Sequence, residues 1–148
     1  MNWEEYRTWA HRAVDWGTDY RADIRDRPVR AQVKPGDIAR QIASAPPETG
    51  EDMADIFAEF EAVIPDGMTH WQHPRFMAYF SANAAPASMV AEHLATALAS
   101  NAMLWQTSPA ATELEQVMVD WLRQAVGLSD GWKGVLQDTA SSLSLIHI

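Results

Sequence analysis

Apolar positions recur with helical spacing in four stretches of the chain. In MNWEEYRTWAHRAVDWGTDYRADI, residues Trp3, Tyr6, Trp9, Ala13, Trp16, Tyr20 and Ile24 follow one another in steps of three and four, which places them on one stripe of a helix. Asn2, followed three residues later by Glu5, predicts a capping box at its start. Gly17 weakens the middle by about 1 kcal/mol relative to alanine. So aromatic a stripe must dock, on its own domain or on a partner subunit. EDMADIFAEFEAVI predicts a second helix, with Met53, Ile56, Phe57, Phe60, Val63 and Ile64 on the buried face and Thr49 and Asp52 as its cap. ASMVAEHLATALASNAML predicts a third, rich in alanine, with Met89, Val90, His93, Leu94, Ala97 and Leu98 facing inward. SPAATELEQVMVDWLRQAVG is the best-marked helix. Ser108 caps it, Pro109 takes the first position where its missing N–H costs nothing, and Gly127 ends it. Leu114, Val117, Met118, Trp121, Leu122 and Val126 line its core side.

Between the helices the pattern breaks. Pro28 and Pro35 make RDRPVRAQVKPGDI an extended connector, with a short helix expected from Asp37 to Ile42 before SAPPETG. PDGMTHWQHPRFMAYFSANAAP has no period of 3.6; FMAYF reads as a short strand or a turn of helix. Residues 135–137 read as a strand and 138–142 as a loop opening a further helix, the point where an α/β domain would begin. Charge is concentrated in residues 1–66, so that stretch is expected to be the more solvated and residues 67–148 the more buried. No internal repeat is visible. The pattern predicts a mainly α chain: a helical arm over residues 1–82, then the beginning of a larger domain over 83–148.

Composition narrows the classes. With 148 residues, 47% of them hydrophobic, the chain can bury a core. It has no cysteine, which removes disulfides and cysteine-based zinc sites. No run of eighteen apolar residues is present, so no membrane span is expected. The acidic, tryptophan-bearing opening is unlike a signal or transit peptide, and a soluble cytoplasmic protein is the expectation. The formal net charge is −9, and the densest basic stretch, RADIRDRPVR, is interrupted by Asp23 and Asp26. Phosphate-backbone binding needs clustered cations, so no nucleic-acid partner is expected.

Three places could carry chemistry. TASS, at the start of an expected helix, offers backbone N–H groups, a favourable dipole and the hydroxyls of Thr139, Ser141 and Ser142 to a phosphate; the plainer reading makes Asp138 a helix cap. His70 and His73 are spaced to share a helix face and hold a metal with a third ligand. Pro74 follows and no zinc motif accompanies them, so no metal is assigned and His70 reads as a packing or hydrogen-bonding residue. Trp71, Phe76, Tyr79 and Phe80 make either an aromatic pocket wall or plain core. His11 reads as a surface residue and His93 as a satisfied core residue. No Ser-His-Asp order, glycine-rich phosphate loop or paired-carboxylate site is present, and no residue is assigned a catalytic role.

MTHWQHPRFMAYF, then LWQTSPAATELEQVMVDWL, then GVLQDTASS, together with the opening MNWEEYRTWAHRAVDWGTDY and VKPGDI, resemble in order the N-terminal part of the group II decarboxylases that use pyridoxal phosphate. The likeness is greatest to the aromatic-L-amino-acid decarboxylases and covers residues 1 to about 142. It implies the beginning of an aspartate-aminotransferase-like enzyme (pyridoxal phosphate fold type I): an N-terminal helical dimerisation segment, residues 1–82, and the first part of the cofactor-binding large domain, residues 83–148. The homodimer would form through the N-terminal helices, with the active site at the interface. By match, Thr139, Ala140 and Ser141 form the turn that cradles the cofactor phosphate. Trp71, Tyr79 and Phe80 line the substrate side. Asn101 and Met103 stand where dopa-type enzymes place an apolar and an aromatic residue from the neighbouring subunit. Ser81 and Ala82 replace the Pro-Thr pair of the animal dopa-type enzymes, which leaves substrate preference within the aromatic class open.

The implied activity is a carboxy-lyase reaction that removes the α-carboxylate of an aromatic L-amino acid through a pyridoxal phosphate aldimine, giving the amine and CO2. The alternatives are decarboxylation of another amino acid, of glutamate or cysteine sulfinate type, and a helical interaction module without catalysis. The resemblance places the cofactor lysine, its acidic partner and the ring-stacking histidine after residue 142. Neither Lys34 nor Lys133 matches that lysine, so the 148-residue chain is expected to be inactive by itself. Residues 143–148, LSLIHI, depart from the family pattern, and the expectation is a truncated or misread coding sequence after Ser142.

Overall fold

The computed structural model describes residues 1–79 and 84–137. They divide into two compact units, Met1–Ala84 and one beginning at Ala85. Four α-helices account for the regular structure, and no strand occurs among the described residues.

The first unit opens with α1, Trp3–Asp23. The capping box forms as the sequence predicts: Asn2 Oδ1 accepts from the backbone N–H groups of Glu4 and Glu5, each at 2.9 Å, and the Asn2 N–H donates to Glu5 Oε2 at 2.8 Å. Gly17 lies in mid-helix, and a Cβ there would meet nothing within 4 Å. Gly17→Ala is therefore expected to stabilise the unit by about 0.5–1 kcal/mol, by restricting the unfolded chain without a clash. A rise in urea midpoint at constant m-value checks this.

The helix tightens into a short 3₁₀ turn, Ile24–Asp26, which buries Ile24. The connector holds a second 3₁₀ turn, Ala39–Gln41, in place of the longer helix expected at 37–42. Its neighbour Ile38 packs on the end of α2, where a Cβ on Gly67 would lie 2.7 Å from Ile38 Cδ1.

Helix α2, Met53–Gly67, runs three residues past its expected end and contains Pro65. Asp52 takes the N-cap position, but its side chain makes no capping bond. The two helices meet ring to ring. Trp9 lies 5.5 Å from Phe57, and Trp16 sits edge-on to Phe60 at 4.8 Å while stacking on Tyr20 at 5.3 Å. Arg12 spans the same seam, with its guanidinium 5.4 Å over the Phe57 ring and 2.7 Å from Glu61. Most of the aromatic stripe is thus used inside its own unit, though Trp3, at its start, is 82% exposed.

In the second unit, α3 spans Pro86–Leu98 and α4 spans Pro109–Ala125. Helix α3 stops six residues before the expected end, at Ala99, whose φ of 46° lies in the left-handed region. The Asn101 side chain then offers the backbone a local alternative to the helix, and Ser100 reaches forward to the start of α4. Ser100 Oγ pairs with Ser108 Oγ at 2.6 Å, and Asn101 Oδ1 accepts from the Met103 N–H at 3.0 Å. Ser108 holds the N-cap position of α4 but makes no side-chain cap, because its hydroxyl is engaged by Ser100. The other end closes as expected. Gly127 has φ 76°, its N–H bonds to Gln124 O at 3.0 Å and the Leu128 N–H to Arg123 O at 3.1 Å, a Schellman motif.

Three expectations are corrected here. The apolar faces of α3 and α4 are exposed, Met89, Val90, Leu94 and Leu98 on one, Leu114, Val117, Met118, Trp121, Leu122 and Val126 on the other. His93 is exposed with them. Of α4 it is Ala111, Thr112, Glu115, Val119 and Arg123 that are half-buried, since these turn toward their own unit. The charge-poor stretch is accordingly not the more buried: Ile24, Val63 and Pro65 are buried in residues 1–66, and His70, His73 and Ser108 among the described residues of 67–148. Finally, residues 135–137 are not a strand. A strand needs a neighbour to complete its ladder; here the Leu136 N–H donates instead to Glu115 Oε1, at 2.8 Å.

Candidate functional site

The segment from Met68 to Tyr79 is a loop with a buried edge and an exposed one. Its backbone is fastened at the start, where the His70 N–H donates to Val29 O at 2.9 Å. It then advances in tight steps, His73 N–H to His70 O and Phe76 N–H to His73 O, each at 2.9 Å.

The buried edge is two imidazoles, His70 at 3% exposure and His73 at 4%. His70 Nδ1 is 2.7 Å from the Tyr20 hydroxyl of α1. His73 Nδ1 accepts from the Arg75 N–H at 3.0 Å, and its Nε2 lies 3.2 Å from Arg25 O. With Nδ1 accepting, Nε2–H is the donor to that carbonyl, and these partners assign the tautomer. Both histidines are therefore hydrogen-bonding residues of the core. No cluster of three or more metal-ligating side chains occurs among the described residues.

Arg27 lies over the Tyr20 ring at 5.1 Å, and its Nε is buried with no hydrogen-bond partner. Burial holds the His70 pKa below its ordinary value, followed by the positive charge of Arg27 and by His73; Asp66 opposes them. A histidine with a depressed folded pKa binds its proton more readily in the unfolded chain. Its contribution to stability is thus full above the unfolded value of 6.5 and declines as pH falls through 6.5 toward the folded value. Thermal melts from pH 7.5 to 5 are expected to show a stability loss below 6.5 that His70→Asn reduces, Asn Oδ1 accepting from Tyr20 without titrating. An equal loss in both proteins would sink the assignment.

The exposed edge is an aromatic plate. Trp71 stacks on Phe76 at 4.9 Å and 28°, and on Tyr79 at 5.7 Å and 19°. Trp71 is 43% exposed and Tyr79 88%. Tyr79 also has φ 56°, in the left-handed region that costs a non-glycine residue about 1–2 kcal/mol. Three of the four aromatic residues read as a pocket wall or core, Trp71, Phe76 and Tyr79, are thus brought together, the first and third of them being those the family likeness places on the substrate side. Phe80, Ser81 and Ala82 lie outside the described residues. Asn101 and Met103 are in the second unit, joined by their own turn. Thr139, Ala140 and Ser141, the expected phosphate turn, lie outside the described residues.

A separate hollow of about 720 Å³ lies in the second unit between α4 and residues 128–134, lined in part by Val119, Leu122, Val126 and Trp132. Of its two cations, Arg123 is engaged: it pairs with Asp120 at 2.8 Å and Asp130 at 3.0 Å and donates to Leu128 O at 2.7 Å. Lys133 also lines this hollow, which belongs to the second unit and holds none of the expected site residues.

A helical chain that displays this plate on THWQHPRFMAY, with LWQTSPAATELE after it, falls in the class of pyridoxal-dependent decarboxylases. Residues 35–148 match the pyridoxal-dependent decarboxylase conserved domain, and the chain belongs to that family. It is 41% identical to an aromatic-L-amino-acid decarboxylase of Manduca sexta, covering 100% of this chain and 31% of that protein. Catharanthus roseus tryptophan decarboxylase, solved in complex with L-tryptophan, superposes with a TM-score of 0.90 at 38% identity, over 95% of this chain and 32% of that one. Rhodiola rosea 4-hydroxyphenylacetaldehyde synthase gives 0.81 at 39% identity, over 87% and 28%. The chain thus spans about a third of the length of the relatives it matches. The fold is that of the N-terminal part of a fold type I enzyme, and pyridoxal phosphate is the cofactor that the family membership implies.

Proposed function

We propose that this chain forms the N-terminal part of a lyase that removes the α-carboxylate of an aromatic L-amino acid. The observation that carries the reading is the stacked Trp71–Phe76–Tyr79 plate, in which the Trp71 and Tyr79 rings are open to solvent and able to meet an aromatic side chain. Trp71 and Tyr79, with Phe80, would orient that side chain and exclude water beside it. Thr139, Ala140 and Ser141 would hold the cofactor phosphate through hydroxyls and backbone N–H groups. Bound pyridoxal phosphate supplies the sink for the electrons released as CO2 leaves.

Residues 1–82 serve in this reading as a dimerisation segment, and 83–148 as the beginning of the large domain. Asn101 and Met103 would border the pocket of the neighbouring subunit. The accessible Trp3 and Val14 on α1 support a homodimer, and light scattering of the full-length enzyme tests it. A cytoplasmic setting belongs to the same proposal, in keeping with an acidic chain of net charge −9, and fractionation of the source cells tests it.

The likeness to both a tryptophan decarboxylase and an aldehyde synthase makes the product the deciding measurement. The full-length enzyme, incubated with tyrosine, dopa, phenylalanine, tryptophan and glutamate, is expected to release CO2 with an equimolar amine from an aromatic substrate. An aldehyde in its place, or turnover of glutamate alone, would overturn the reading.

A further inference from the structure

We propose that His70 and His73 are positioning residues, a two-imidazole clasp that ties the Trp71–Phe76–Tyr79 plate to the end of α1 and sets its tilt. The inference rests on the reading of that plate as the substrate wall. Burial alternates along the loop: His70 inward, Trp71 outward, His73 inward. Each imidazole reaches the α1 end by a directional bond, His70 to the Tyr20 hydroxyl of α1 and His73 to the Arg25 carbonyl of the 3₁₀ turn that follows. Apolar side chains would fill the same space but would leave that hydroxyl and that carbonyl without their partners.

The two histidines are also joined to each other and to the plate. His73 N–H bonds to His70 O, Phe76 N–H to His73 O, and the Arg75 N–H to the His73 ring itself. The His73 ring thus fixes one backbone N–H directly, the two backbone turns start at the histidines themselves, and Trp71, within the first turn, stacks on Phe76 at the end of the second and on Tyr79 beyond it. Losing either bond frees the plate to tilt while leaving the α1–α2 seam, built on Trp9, Trp16, Phe57 and Phe60, intact.

The test needs no ligand. The chain is labelled with 5-fluorotryptophan, and the Trp71 resonance is assigned by its absence in Trp71→Phe. In Tyr20→Phe and in His73→Leu, the ¹⁹F signal of Trp71 is expected to move more than half-way to the free-amino-acid position, and acrylamide to reach it at least threefold faster. The Trp9 signal and the helical content stay as they were. His73→Gln, whose side-chain amide can still donate to Arg25 O, restores the wild-type Trp71 signal. The proposal is overturned if Trp71 is unmoved in both variants, if Trp9 moves equally with it, or if His73→Gln behaves as His73→Leu does. Adding L-tryptophan to the labelled full-length enzyme then tests the wall separately: a Trp71 signal held by the clasp yet indifferent to the amino acid removes the substrate reading and leaves the clasp standing.

Discussion

Trp16→Ala is expected to lower the unfolding free energy of the first unit by about 3 kcal/mol, the low end of the range for tryptophan truncation, because the ring is only half-buried. The indole is the hinge of the seam. It stacks nearly parallel on Tyr20, at 10°, and meets Phe60 edge-on at 66°. Each such pair adds about 0.5–1.5 kcal/mol to the area the ring buries. Tyr20 is also the hydroxyl partner of His70, so the loss should be felt in the loop as well as in the helices. Trp3→Ala, at a position open to solvent, is expected to change stability by less than about 0.5 kcal/mol. Urea melts of the two variants at pH 7.5 make the comparison, and a Trp16→Ala midpoint indistinguishable from that of Trp3→Ala would refute the seam as the main source of stability.

In the full-length enzyme, Trp71→Ala is expected to raise KM for an aromatic amino acid about 30-fold, from a loss of about 2 kcal/mol. That loss combines one substrate–indole stack with the apolar area the indole covers. Part of it comes from the plate itself, since Phe76 and Tyr79 both rest on the indole and lose their common support when it goes. Trp71→Phe keeps a π face and should stay within about fivefold of the wild type. Steady-state kinetics with L-tryptophan and L-phenylalanine separate KM from kcat, and a change of less than twofold in KM for Trp71→Ala would remove Trp71 from the substrate wall.

What the sequence made legible was local. The capping box at Asn2 and Glu5 and the Pro109–Gly127 limits of α4 are set by residues within a few positions of one another, and both formed as read. The clustering of Trp71 and Tyr79 was legible for the same reason. The clasp was not, because Tyr20 and His70 stand 50 positions apart, and the signal for it was a pair of histidines with no motif to explain them. Helical period identified the apolar faces of α3 and α4 correctly but says nothing of what lies against a face, and those faces are exposed. His93 was misplaced with them. Ala99 gave no warning either: alanine favours the helix interior, yet the chain turns there, with Asn101 bonding locally to the Met103 N–H and Ser100 reaching Ser108 eight positions on. The strand expected at 135–137 was read from composition, whereas a strand depends on a neighbour that sequence distance does not disclose.

The closure of α4 bears on how the chain leaves the ribosome. Its start is fixed by Pro109 and by the Thr112 bonds to the Ser108 carbonyl, its end by Gly127 and the Leu128 N–H. Every group that completes either terminus lies within residues 108–128. This helix can therefore form co-translationally as soon as Leu128 has cleared the exit tunnel, ahead of whatever its exposed Leu114, Met118 and Trp121 come to rest upon. Helix formation takes about a microsecond and adding one residue takes at least about 50 ms, so the helix–coil equilibrium of this segment is reached many times over before the next residue is added.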